Sequence, residues 1–426
     1  MTTPTPNDII AAVDALEDEA VALLAELVRF DTTLGNETAA QDRIAAVFAD
    51  LGLEVDRFAI DLAAIEDHPG FSPVDWDYDD KINVVGVHRS RHNAGRSLIL
   101  NGHIDVVPTG PADMWASPPF EPVVRDGWMW GRGAGDMKAG IVAYTMAFKA
   151  LKSLGVAPAA PLYLQSVVEE ECTGNGALAC LVRGYRADAA IIPEPFERSL
   201  MTAQMGVMWF RVHVRGKPAH VLDTAAGANA IEAAFALVEA LKRLETRWNA
   251  PEARHPAFAG IEHPINFNLG VITGGEWPSS VPTECRFTMR VGFFPGVSTA
   301  SVREAVTETI AEAAARHPTL RESPPRVEFF GFQAEGCTVD AEGEMMRLLA
   351  DIHRRLDGEP PPLRATTATT DARFFNLYGD LPATCYGPHA ERIHALDERV
   401  DLASVHAVTR VLALFIAEWC GLEPAD

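Results

Sequence analysis

Short apolar runs suited to β-strands alternate with helix-like stretches through the first half of this chain, and that alternation limits the folds open to it. Runs at 54–60, 83–88, 98–100, 162–168 and 187–192 are separated by segments such as AGIVAYTMAFKALKSLG and EEECTGNGALACLVRGY. Strands joined by helical crossovers lie side by side in the same direction, so the pattern predicts an α/β unit with a mostly parallel sheet covered by helices on both faces. Residues 7–29 place apolar side chains at helical spacing, with Asn7 or Asp8 as the expected cap, and Thr38 opens a shorter helix to Leu51. The Pro, Trp and Asp-rich segment 68–80 reads as a surface loop, long enough to border a site.

The texture changes near Met205. The run VMWFRVHV (207–214) alternates like an antiparallel strand, and a helix follows with Ile231, Phe235, Val238, Leu241 and Leu244 on one face. Strand-like runs at 265–272 and 283–291, a helix at 299–316 and a strand at 326–332 complete a small α+β sandwich. The strand and helix alternation then resumes with helices at 341–356, 371–377 and 402–419. The expected organisation is a discontinuous catalytic domain, 1–205 and 334–426, with 206–333 inserted into it. A length of 426 residues suits two cores.

Composition excludes several functions. With 36 basic and 59 acidic residues, the formal charge is −23, which repels phosphate backbones and anionic lipid. Neither nucleic acid nor membrane is expected as a partner. No targeting segment or uninterrupted apolar span is recognisable, and the six cysteines are scattered without a CxxC pair. These features point to reduced thiols and a cytoplasmic protein.

Five ligand-type residues stand at strand ends or in polar turns: His103, Asp136, Glu171, Glu194 and His394. Two imidazoles and three carboxylates suit a pair of zinc ions, with Co2+ or Mn2+ as substitutes. Asp136, with two oxygens, is the natural bridge between adjacent cations. Asp105, two residues beyond His103, would share its strand face and could accept the imidazole N–H, although an HxD pair alone is equally a structural feature. Three consecutive carboxylates, Glu169, Glu170 and Glu171, repel one another unless cations neutralise them. One would bind metal and a neighbour would move protons, and spacing does not rank them. His220 alone is more often structural than catalytic, and Arg290 is either a carboxylate-binding fork or a surface arginine.

Taken in order, GHIDVVP, GRGAGDMKAG, VEEECTGNGA, PEP, RGKPAH and GPHAERIHALDERV resemble the dinuclear zinc amidohydrolase and peptidase family that contains acetylornithine deacetylase, succinyl-diaminopimelate desuccinylase, aminoacylase and glutamate carboxypeptidase. The resemblance spans nearly the whole chain. It implies a zinc-peptidase-like catalytic domain with a lid and dimerisation insert, and a homodimer acting on a small-molecule N-acyl substrate. It implies that His103 and Glu194 hold one zinc, Glu171 and His394 the other, and that Asp136 bridges them. Glu170 would be the general base, Asp105 the partner of His103, and the peptide after Asp136 would be cis. His220 would reach the partner subunit's site to stabilise an oxyanion, and Arg290 would bind a substrate carboxylate. Ser279 stands where many members carry a substrate-binding asparagine, and His389 where glycine is common. The implied reaction is hydrolysis of an N-acyl amino acid or related amine. A dipeptidase or carboxypeptidase, and a silent binding protein on the same fold, are the alternatives.

Overall fold

A computed structural model describes residues 3–425, so the expected domain limits at 1 and 426 lie outside the described residues. The principal sheet has six strands in the order Glu54–Ala59, Ile82–His88, Leu162–Val167, Leu98–His103, Ala190–Ile192, Ala383–Cys385. Only Ile82–His88 runs against its neighbours; the other strands share one direction. Both faces are covered, as the strand alternation shows. Val84 belongs to the main core, whereas Val85 and Val87 point the other way into a cluster with Val167 and Cys180. Helices Ala139–Ser153 and Leu402–Cys420 pack on each other and on the sheet. The latter is long and apolar enough to cross a membrane, but Val405, Val408, Val411, Leu412, Phe415 and Ile416 are buried within the protein, as in a core helix.

A second core lies under a four-stranded antiparallel sheet ordered Phe267–Gly274, Glu284–Phe293, Gly206–Arg215, Arg326–Ala334. Helices Ala230–Trp248 and Thr299–Arg316 cover one face, where Phe210, Val212, Phe287 and Met289 meet Leu237, Leu241, Val302 and Val306. On the other face Trp209 packs edge-on against Phe332.

Several local expectations change. The stretch 7–29 forms two helices, Pro6–Asp14 and Glu17–Val28. The first packs on Leu402–Cys420 and the second beside the Asp136 turn, so a break between them serves both contacts. The cap is Thr5, two residues before the expected Asn7 and three before Asp8. Its side chain accepts the Asp8 N–H while Asp8 reaches back to Thr5, with Pro6 at the first helical position. Phe235 is 50% exposed because the buried stripe of its helix runs through Ala233, Ala234, Leu237, Leu241 and Leu244. The expected helix at 371–377 is one turn, Ala372–Phe374, running into the wider turn Phe375–Gly379. Segment 68–80 is not a free surface loop: Ser72 and Tyr78 are buried. A small sheet of Ala390–Glu391, Arg399–Asp401, Trp128–Trp130 and Val123–Arg125 was not expected from periodicity, because its strands are only two or three residues long.

Candidate metal centre

Three adjacent parallel strands deliver the candidate site at one edge of the sheet. His103 is the last residue of Leu98–His103, Glu169 to Glu171 follow Leu162–Val167, and Glu194 follows Ala190–Ile192 after one proline. Carboxyl ends of parallel strands are where such sheets place ligands. Asp136 comes from the turn ahead of helix Ala139–Ser153, and the Asp136–Met137 peptide is cis. His394 arrives from a loop in which Arg392, His394 and Asp397 all have positive φ, a backbone held in place by tertiary contacts.

Asp136 lies between two imidazoles. Its Oδ1 is 3.2 Å from His103 Nε2 and its Oδ2 is 3.4 Å from His394 Nε2. His103 Nε2 is also 3.7 Å from Glu194 and 3.9 Å from Glu170, and His394 Nε2 is 3.0 Å from Glu171. Ligand atoms of His103, Asp136 and Glu171 fall within 4.8 Å of one another, as do those of His103, Glu170 and Glu194.

The electrostatics of the cluster favour positive charge at its centre. Burial first, and neighbouring carboxylates second, push the Glu170 and Glu194 carboxyls well above the usual range, though His103 opposes this. Burial disfavours a charge on His103, yet Glu194 and Asp136 hold its proton far more tightly than usual. His394 is pushed up to about 11, chiefly by Glu171. The acids therefore draw positive charge towards the centre, as the ligand set of a divalent cation does. Glu170 Oε1 is buried without a hydrogen-bond partner, as expected of a group built to meet something other than protein. The donor set therefore fits divalent metal.

Asp105 stands beside His103, but its backbone makes the nearer contact. His103 Nδ1 contacts the Asp105 backbone carbonyl at 2.9 Å, whereas the carboxylate lies 3.7 Å away. The Asp105 carboxylate instead accepts the N–H groups of Glu170, at 3.2 Å, and Glu171, at 3.1 Å. It fixes the backbone of the acidic loop.

The lid residues lie apart from the cluster within one chain. His220 is exposed, its Nδ1 accepting the Leu222 N–H, and none of its contacts is with the five ligand-type residues. Ser279 is exposed and its carbonyl accepts the Val221 N–H. Arg290 is not a surface arginine. It is largely enclosed, burial disfavours its charge, and Nη2 donates to the Thr367 carbonyl of the other domain at 3.1 Å.

Glu398 escaped the sequence reading, and within the acidic run the structural role of Glu169 did too. Glu398 is fully buried and accepts from Arg132 Nη1, Gly133 N, Gly135 N and Asp136 N, so it shapes the turn that presents Asp136. Glu169 is also fully buried and bonds Trp76, Tyr78 and Thr173. No spacing pattern marks Glu398, and none distinguishes Glu169 from its two neighbours.

Comparison with known proteins agrees with this architecture. The model of peptidase family M20/M25/M40 matches residues 99–418. The chain is 30% identical to N-formyl-4-amino-5-aminomethyl-2-methylpyrimidine deformylase of Halalkalibacterium halodurans, across 98% of both chains. It is 28% identical to succinyl-diaminopimelate desuccinylase of Alkalilimnicola ehrlichii, across 80% of this chain and 88% of that one. A dipeptidase of Saccharomyces cerevisiae has the same fold, with a TM-score of 0.80 at 13% identity over 98% of both chains. The family match covers most of the sequence, and the chain belongs to peptidase family M20/M25/M40 as a metal-dependent hydrolase of amide bonds.

Proposed function

We propose that this protein is a two-zinc N-acyl amine hydrolase whose acyl group is small, in the first instance formyl, and whose amine is a primary aminomethyl group on an aromatic ring. The single observation that carries the chemistry is Asp136 between His103 and His394, with the free Oε1 of Glu170 beside them. The substrate class rests on the likeness to the H. halodurans deformylase over the full chain.

In this reading His103 and Glu194 would hold one cation and Glu171 and His394 the other, with Asp136 between the two imidazoles as a shared ligand. A zinc pair held there would supply Lewis acidity and a water of lowered pKa. Glu170 takes the proton of the attacking water and returns it to the departing amine nitrogen, a role for which its buried, raised carboxyl is suited. Asp105 holds the Glu170 and Glu171 backbone in register for that transfer. In the same reading Arg290 and Ser279 are the lid residues that would bind substrate.

The working form is a homodimer in which His220 serves the partner subunit's site. Supporting this, strand Phe267–Gly274 is an open sheet edge with exposed Val271 and Ile272, and exposed Phe235, Trp277 and Leu222 lie on the same lid domain. An uncovered edge with apolar neighbours favours pairing with a second copy. The six cysteines are free and buried, in keeping with a cytoplasmic setting.

The test is a mass-spectrometric screen of zinc-loaded protein against N-formyl aminomethylpyrimidine, N-acetyl amino acids, N-succinyl-diaminopimelate and dipeptides. Formamide cleavage with the highest kcat/KM supports the reading. Preference for a dipeptide, or no cleavage at two zincs per chain, overturns it.

A further inference from the structure

Segment 68–80 bonds both to the acidic loop of its own domain and to the lid sheet, beside the point where strand Arg326–Ala334 leaves the lid. Ser72 and Asn175 exchange two hydrogen bonds, at 3.1 and 2.8 Å, and Asn175 also bonds the Tyr78 hydroxyl at 2.7 Å. Tyr78 and Trp76 then grip opposite oxygens of the Glu169 carboxylate, at 2.5 and 2.6 Å. Thr173 adds a third hydrogen bond at 2.9 Å, and Lys81 lies 3.8 Å away. Glu169 has φ of +66° and no exposure, so its backbone is held in an unfavourable region by these contacts. The next two residues are Glu170 and Glu171.

The same few residues hold the lid sheet. Pro73 O accepts the Gly331 N–H at 2.7 Å, Ser72 Oγ accepts the Gln333 N–H at 3.2 Å, and Asp75 pairs with Arg211 at 3.1 Å. Gly331 passes so near the acidic loop that a Cβ there would sit 3.2 Å from the Cys172 carbonyl and 2.6 Å from the Trp209 ring. Ser72 Oγ also donates to the Thr173 carbonyl. One hydroxyl thus touches the end of strand Arg326–Ala334 on one side and the Glu169 to Thr173 loop on the other.

We propose that residues 72–78 form a strap that couples the lid sheet to the acidic loop, with Trp76 and Tyr78 as positioning residues that act through Glu169 on Glu170 and Glu171. A shift of the lid relative to the catalytic sheet pulls on Ser72 and Pro73, and the stiff network around Asn175 carries that displacement to the Glu169 carboxylate. Ordering of the lid around substrate and alignment of the proton-transfer group then become one event. The coupling rests on the proposed amide hydrolysis only for its kinetic consequence.

The experiment compares zinc-loaded full-length Tyr78→Phe, Ser72→Ala and Asp75→Asn with the parent chain, with exposed Asp79→Asn as the control on the same segment. Hydrogen exchange read by mass spectrometry is expected to rise in peptides covering 168–176 for Tyr78→Phe, and in both 168–176 and 327–334 for Ser72→Ala. Asp79→Asn leaves both unchanged. On the best formamide substrate, Tyr78→Phe lowers kcat about tenfold with KM within about twofold and zinc content intact, the pattern of a lost transition-state alignment. If Tyr78→Phe fails to fold, Asp75→Asn carries the test from the lid side, with faster exchange in 168–176 expected. Unchanged exchange at 168–176 in the folded variants, or a kcat loss matched by zinc loss, overturns the strap. A parent chain that cleaves no amide refutes the proposed activity while the exchange result still decides the coupling.

Discussion

Glu398 Oε1 accepts the backbone N–H of Asp136 at 3.1 Å, across 262 residues of sequence. The same carboxylate takes the N–H groups of Gly133 and Gly135 and the guanidinium of Arg132, all buried. An anion is needed because every group facing it is a donor. Glu398→Gln turns an NH2 towards those donors and leaves Arg132 buried without its counter-charge, a loss of about 3–5 kcal/mol where a buried pair is broken. A lower urea midpoint and zinc affinity weakened about 10–100-fold are expected, the latter read by chelator competition. Unchanged affinity would remove Glu398 from the support of Asp136.

Glu170 and Glu171 are neighbours with different expected losses. Glu170→Gln is expected to keep two zincs per chain by elemental analysis while turnover falls about 10²–10⁴-fold, the range for a lost general base. Glu171→Gln is expected to lose zinc. If Glu170→Gln retains most activity, the proton-transfer role belongs elsewhere.

His220 makes no contact with the cluster of its own chain, so its proposed role depends on a second copy. His220→Ala and Glu170→Gln are each expected to be nearly inactive as homodimers. After mixing and subunit exchange, a heterodimer holds one site with both an intact Glu170 and an intact partner histidine, and activity should return. No recovery despite proven exchange would place His220 outside the reaction.

His353 provides a pH dependence remote from the site. Burial, aided by the Arg198 guanidinium, pushes its pKa from 6.5 down to about 4, and Nδ1 meets the Tyr386 hydroxyl at 2.7 Å. Above pH 6.5 the ring is neutral in both folded and unfolded chains and contributes no pH dependence. As pH falls from 6.5 towards 4 the unfolded chain binds the proton first, so stability declines. The urea midpoint should drop more between about pH 7.5 and about pH 5 for the parent chain than for His353→Gln. Equal drops would refute this assignment.

Much of the fold was legible because period-two and helical spacings are local properties of the chain. The strand ends that carry His103, Glu169 to Glu171 and Glu194 could be placed from the apolar runs preceding them, and strand alternation with helices foretold one shared direction. Local spacing failed where a neighbour in space set the outcome. Phe235 satisfies a helical stripe on paper, but the sheet beneath its helix meets Ala234 and Leu237 instead. Residues 68–80 look like a polar loop, yet Ser72 and Tyr78 are buried by partners about 100 residues away in sequence.

The candidate site divides in the same way. By itself the sequence determined which side chains were available: two imidazoles and a set of carboxylates, each at the end of a strand or in a turn where metal-binding geometry is attainable. Tertiary structure alone decided which atoms each one faces. It turned the Asp105 carboxylate to the Glu170 and Glu171 amides and left the His103 ring on a backbone carbonyl. It also buried Glu169 against Trp76 and Tyr78, and Glu398 against the Asp136 turn. A buried carboxylate must find donors wherever the fold brings them, and its partners are fixed by packing between distant segments rather than by spacing along the chain.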